Sequence, residues 1–115
     1  MGSQKMKYHL VVTPAAFVDI NAAMEWYDEK AESLGNRFIS AMESRFEDVL
    51  QSPLFSRLQN GSQIRRIYLN HWPYFIYYRV LDDSVRIIAV IHTSRDPKYV
   101  KSHFPAIRLP TWHGP

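Results

Sequence analysis

Apolar residues in the first half of the chain recur at helical spacing, whereas in the second half they fall into short runs at strand spacing. Phe17, Ile20, Met24, Tyr27 and Ala31 form a three-and-four stripe, with Asp19, Glu25, Asp28, Glu29 and Glu32 on the opposite side. Thr13-Pro14 opens this helix, Thr13 as N-cap and Pro14 at the first helical position, where the missing N–H costs nothing. Ser33–Asn36 breaks it, with Gly35 available for a tight link. Phe38, Met42, Phe46, Val49 and Leu50 predict a second helix over Asn36–Gln51, with Glu43, Glu47 and Asp48 facing water; Ser52-Pro53 ends it. Helices joined by so short a link are expected to pack as an antiparallel hairpin.

Four strands are predicted around these helices. Met6–Val12 reads as a short N-terminal strand, and Gln63–Leu69, Tyr74–Leu81 and Ser84–His92 follow at hairpin spacing. Asn60-Gly61, His71-Trp72-Pro73 and Asp82-Asp83 supply the turns. The fold class is therefore α+β: a single β-α-α-β-β-β domain with a helix hairpin packed on a mainly antiparallel four-stranded sheet.

Alternation assigns the two faces of that sheet. Ile67, Leu69, Ile76, Tyr78, Val80, Val85, Ile87, Ala89 and Ile91 suit the side under the helices. Ile64, Arg66, Tyr68, Phe75, Tyr77, Arg79, Leu81, Arg86, Ile88, Val90 and His92 fall on the other. That second set mixes arginine, tyrosine and aliphatic residues, as a partner-binding face does. A lightly covered sheet face, with arginines lying over apolar neighbours, is the structural alternative.

Charge sharpens this picture. The chain of 115 residues has a net charge of +3, but residues 1–62 carry −2 and residues 63–115 carry +5. The positive excess therefore lies on the meander and the segment after it, as expected for contact with a phosphate backbone or an acidic protein. Thr93–Lys101 forms a basic turn, and Ser102–Pro115 is a tail with Pro105, Pro110 and Pro115 that argue against a helix. Residues 1–6 read as a disordered or cloning-derived extension, with residues 7–101 as the domain.

Several chemistries lack their residues. There is no cysteine, so disulfides, thiol nucleophiles and Cys-ligated metals are excluded. The four glycines are scattered, and the five histidines have no metal-ligand spacing. The acidic cluster on the first helix fits a solvated helix face better than a cation site. No cofactor and no metal site is expected. With no membrane span or signal pattern, a cytoplasmic protein is expected.

The order of elements, together with local residues, resembles the RelE/ParE superfamily of bacterial toxins. Ala23–Phe38, running through Trp26-Tyr27 and Leu34-Gly35-Asn36, looks like the superfamily's helix-to-helix passage. Ile64-Arg65-Arg66, Pro73–Val80 and Val90–Pro97 look like its three consecutive strand motifs. The Trp26-Tyr27 passage, the Pro73-Tyr74 turn and His92–Pro97 resemble the ParE-like branch. The resemblance spans about Lys7 to Lys101 and leaves the tail uncovered.

What the resemblance implies is a toxin of a type II toxin–antitoxin pair, neutralised by a cognate antitoxin and reaching operator DNA only through it, without membrane contact. ParE-like members poison DNA gyrase by protein contact, whereas RelE-like members cleave mRNA in the ribosome. The leading expectation is the first, without catalysis, through a partner-binding set of Arg66, Tyr68, Phe75, Tyr77, Arg79, Arg86, His92, Arg95, Lys98 and Tyr99. The alternative is a metal-free endoribonuclease. Such cleavage needs a base, an acid and cations for the crowded phosphate, for which His92, Arg66, Arg79 and Arg95 are the candidates. Against it, the first two meander strands hold no lysine and no second acid–base group is evident; His92 can equally cap a strand end. A third reading is a toxin-fold relic that only co-represses with its partner.

Overall fold

The computed structural model describes residues 7–59, 62–95 and 100. Its elements are β1 (His9–Val12), α1 (Pro14–Lys30), α2 (Leu34–Gln51), β2 (Arg65–Tyr68), β3 (Tyr74–Leu81) and β4 (Ser84–His92). This is the predicted β-α-α-β-β-β order. The strands form one sheet in the order β1-β4-β3-β2, with β2, β3 and β4 an antiparallel meander and β1 parallel to β4. The expected extension at 1–6, the Asn60-Gly61 turn and the tail at 102–115 lie outside the described residues.

The main core lies between the helices and one sheet face. Phe38, Met42, Phe46 and Val49 of α2 meet Ala16, Ile20 and Ala23 of α1 and Ile76, Tyr78, Val85 and Ile87 of the sheet. Each large apolar side chain buried there contributes about 1.5–3 kcal/mol against unfolding. Phe17, expected in this core, is instead 60% exposed. The rotational phase of α1 is set by two polar anchors. Thr13 Oγ1 accepts from Ala16 N as the N-cap and donates to Ile87 O at 2.8 Å. Asp19, expected in water, accepts the Val90 N–H at 2.9 Å. With Asp19 turned to the sheet, Ala16, Ile20 and Ala23 face inward and Phe17 faces out.

The link between the helices is tighter than the sequence indicates. Ser33 takes a left-handed conformation (φ 70°), and α2 begins at Leu34 rather than Asn36. Ser33 makes no side-chain cap; Asp28 Oδ1 accepts from Gly35 N at 3.0 Å and caps α2 from the neighbouring helix. A Cβ at position 35 would lie 2.8 Å from Met24 O and against the Asp28 carboxylate. Glycine is required here by close approach.

One irregularity decides the placement of the candidate site. Tyr77 pairs with Ala89 and Tyr78 with Ile87, so Ile88 is an extra residue on β4. A bulge of this kind shifts the alternation by one position. Val85 and Ile87 point under the helices as predicted, but beyond the bulge Val90 does so, while Ala89 and Ile91 join the opposite face. The face assignments of Ala89, Val90, Ile91 and His92 are thereby reversed.

Candidate functional site

The sheet face away from the helices has an apolar floor and a cationic, aromatic border. Ile64, Tyr77, Ile88, Ala89 and Ile91 form the floor, with Phe75 and Val100 packed against it. Tyr77 is only 3% exposed, and its contribution is to hold this floor.

Arg66, opposite Tyr77 on β2, lays its guanidinium over the Phe75 ring, with Cζ 4.1 Å from the centroid. Tyr68 and Tyr77 meet Phe75 in edge-on contacts at 5.9 and 6.4 Å. One face of Phe75 is thus taken by a cation and its flanks by neighbouring rings. Tyr68 remains 44% exposed at the edge of the sheet.

Arg79 and Arg86 are directly opposed across β3 and β4. Arg79 is half-buried and Arg86 exposed. Burial, together with the Arg86 charge, pulls the Arg79 guanidinium below its ordinary value. Two like charges at paired positions oppose folding, so the pair is not explained as a device for stability.

His92 is not part of this face. Its ring meets Tyr74 edge-on at 5.2 Å, and Tyr74 packs on Phe38 at 5.3 Å on the helix side. The Nδ1 atom accepts from Ser94 N at 3.0 Å and lies 2.8 Å from Ser94 Oγ. The strand-end cap is the role this geometry supplies. Arg95 follows in the turn, exposed, with its N–H donated to His92 O at 3.0 Å. Lys98 and Tyr99 lie outside the described residues.

The face therefore brings together Arg66, Tyr68, Phe75, Tyr77, Arg79 and Arg86, and leaves His92 on the other side of the sheet. Arg65, adjacent in sequence, points the other way and binds backbone rather than an acidic residue: its Nη1 donates to Ser56 O at 2.6 Å and Leu54 O at 3.2 Å. Thr13 and Asp19, which hold β4 around the bulge, were not readable as site-forming residues; the only sequence signal was Thr13-Pro14 as a helix start. Among the described residues no group of three or more His, Asp or Glu side chains is placed to hold a metal, and no helix is long and apolar enough to cross a membrane.

Comparison with known proteins bears on this geometry. No curated protein sequence matches the chain. Among solved structures, the chromosomal ParDE toxin–antitoxin system from P. aeruginosa contains a chain 18% identical, aligned over 78% of this chain and 100% of that one with a TM-score of 0.60. E. coli toxin RelE, in complex with antitoxin RelBc peptide, is 21% identical over 84% of this chain and 95% of that one, with a TM-score of 0.59. A chain of the M. tuberculosis RelBE2 toxin–antitoxin complex is 19% identical over 82% of this chain and 100% of that one, with a TM-score of 0.55. At these identities the structures establish a shared fold. The family model described as ParE toxin of type II toxin–antitoxin system, parDE, matches residues 10–97. That match takes in both helices, β2, β3, β4 and all but the first residue of β1, and with it the chain belongs to the ParE toxin family of the RelE/ParE superfamily.

Proposed function

We propose that this toxin acts by protein–protein contact on DNA gyrase, without chemistry of its own, and is neutralised by a cognate antitoxin that also carries it to operator DNA. The observation that carries the first part is the Ile88 bulge. It turns His92 away from Arg66 and Arg79, so these two guanidiniums stand on the opposite face of the sheet from the imidazole, and of the three candidate cations for metal-free RNA cleavage Arg95 alone follows it in the turn. Among the described residues of the cationic face there is no other imidazole or carboxylate to serve as base or acid. Membership of the ParE family favours the same reading. An antitoxin partner is supported by the relatives of the same fold that are complexes with antitoxins.

Arg66, Tyr68, Phe75, Arg79 and Arg86 are the contact residues in this reading, joined by Arg95 from the turn, with Tyr77 supporting them from the floor. The test is a supercoiling assay with purified gyrase beside a primer-extension assay on mRNA-loaded ribosomes. Inhibited supercoiling or trapped cleaved DNA, with uncut mRNA, is the expected result. Ribosome-dependent cuts that disappear in His92→Ala would overturn it.

A further inference from the structure

We propose that the loop 53–58, between α2 and β2, is a preformed docking knob for the neutralising partner, and that it takes an apolar stretch of that protein flanked by a carboxylate. The inference rests on the toxin–antitoxin reading for the partner's role and on the geometry of this loop for its chemistry.

Three of the seven large apolar side chains that stand exposed among the described residues fall within 54–58. Leu54 is 58% exposed, Phe55 88% and Leu58 45%. Their neighbours Pro53 and Ser56 are buried. The backbone of the loop is tied down from below. Tyr78 donates its hydroxyl to Pro53 O at 2.8 Å and shares a 2.6 Å bond with the Ser56 hydroxyl. Arg65 Nη1 donates to Leu54 O at 3.2 Å and to Ser56 O at 2.6 Å. Phe55 N donates to Ser52 O at 3.2 Å, and Gln59 N to Ile64 O at 2.8 Å, which closes the loop at both ends. A segment fixed at so many points has already lost the freedom that a slack loop would lose on docking. Its apolar side chains are held outward by that framework.

The knob is separate from the cationic face. Leu58 pairs with Arg65 in an antiparallel bridge, and opposed residues of such a pair share a face. Arg65 and Arg66 alternate across β2, so Leu58 lies with Arg65 on the helix side of the sheet.

Charge selects the occupant. From Val49 to Leu81 the chain holds Arg57, Arg65, Arg66 and Arg79 and no Asp or Glu. Arg57 stands exposed amid the apolar side chains and makes no ion pair among the described residues. A two-fold contact between copies would set these loops and their cations against each other. The chain's own tail offers no carboxylate, since no Asp or Glu follows Asp96. One guanidinium is too little for a phosphate track or an anionic membrane. A protein stretch with apolar residues beside an Asp or Glu meets both needs. Of the two partners in the parent reading, the neutralising one must keep hold for as long as arrest is withheld, and permanent interfaces are the more apolar ones.

The experiment takes the full-length toxin and the protein encoded by the adjacent open reading frame, with affinity read by calorimetry and relief of arrest by growth assays. Phe55→Ser should bind about thirtyfold more weakly, as for a central aromatic anchor, and Arg57→Glu about fivefold more weakly. Both variants should still arrest growth, and arrest by Phe55→Ser should no longer be relieved. Melting temperatures should stay within about 3 °C of wild type, because the altered side chains are exposed; this shows that weaker binding does not come from misfolding.

Unchanged affinity in either variant would overturn the proposal. So would loss of arrest in Phe55→Ser with antitoxin affinity intact, which would give the loop to the target. Self-association of the wild type, or its co-sedimentation with phosphatidylglycerol vesicles, would also overturn it if Phe55→Ser abolishes either one and leaves antitoxin affinity unchanged. If the wild-type protein does not arrest growth, or the adjacent protein neither binds it nor relieves arrest, the toxin–antitoxin reading itself fails and the knob falls with it. If relief is equally strong for wild type and Phe55→Ser, only the knob fails.

Discussion

The Asp19 carboxylate accepts the Val90 N–H at 2.9 Å, two residues past the bulge on β4. The parallel partner strand β1 ends at Val12, opposite Ile87, so this stretch of β4 has lost its neighbour on that side. A side chain from α1 takes the place of a strand. Removing it by Asp19→Ala leaves the amide of a buried residue without its acceptor, at a cost of about 1–3 kcal/mol. Asp19→Asn keeps an acceptor oxygen and should recover most of that loss. Urea denaturation of the three proteins, with hydrogen exchange at Val90, measures both effects.

Close approach of the helices gives a second expectation. A methyl group at position 35 would meet Met24 O at 2.8 Å and displace the Asp28 carboxylate that caps α2. Gly35→Ala should therefore destabilise the domain by about 1–3 kcal/mol, although alanine is the better helix former. Asp28→Ala removes the cap without the clash and should cost less. Thermal melts that rank the two variants in the opposite order would contradict the steric account.

The helices, the order of elements along the chain and the cationic second half were legible because each rests on periodicity or on simple charge arithmetic. The reversal beyond Ile88 was not. Ile87-Ile88-Ala89-Val90-Ile91 is apolar throughout, so no polar position marks which residue faces which side. A single extra residue can enter such a run without disturbing the pattern. The exposure of Phe17 was hidden for a related reason: Thr13 and Asp19 read as a cap and a solvated acid, and neither type announces a bond to a strand more than seventy positions away. Arg65 and Arg66 are identical in type, and only the register separates the one that ties the 54–56 loop from the one that stacks on Phe75.

Alkaline pH should weaken the fold through two tyrosines. Burial raises Tyr74, reinforced by its hydrogen bond to Tyr27. Burial also raises Tyr78, against smaller opposing effects of Ser56, Arg65 and Arg45. An unfolded tyrosine loses its proton near pH 10, whereas these two keep theirs in the folded chain. Their contribution is therefore intact below about pH 10 and is lost as pH rises from there toward the folded values. Urea midpoints should decline above pH 10, and the decline should be shallower in Tyr74→Phe.

The Tyr78 hydroxyl also has a structural task. It donates to Pro53 O at 2.8 Å and accepts from the buried Ser56 hydroxyl at 2.6 Å. Together with Arg65 it fixes the start of the loop between α2 and β2. Tyr78→Phe keeps the ring and strands both partners, for an expected loss of about 1–3 kcal/mol. The growth-arrest activity should survive, because the hydroxyl lies in the core and not on the cationic face.

His92 offers a test of the proposed absence of catalysis that does not depend on finding the target. Its Nδ1 accepts the Ser94 N–H at 3.0 Å, so in the neutral ring the proton sits on Nε2. Long-range 15N correlation spectra should show that tautomer. His92→Ala should cost about 0.5–1.5 kcal/mol of stability through the lost bond and leave growth arrest in place. Loss of arrest in a folded His92→Ala protein, with Ser94→Ala unaffected, would instead assign the imidazole a task in the toxin's action and return the endonuclease reading to the front.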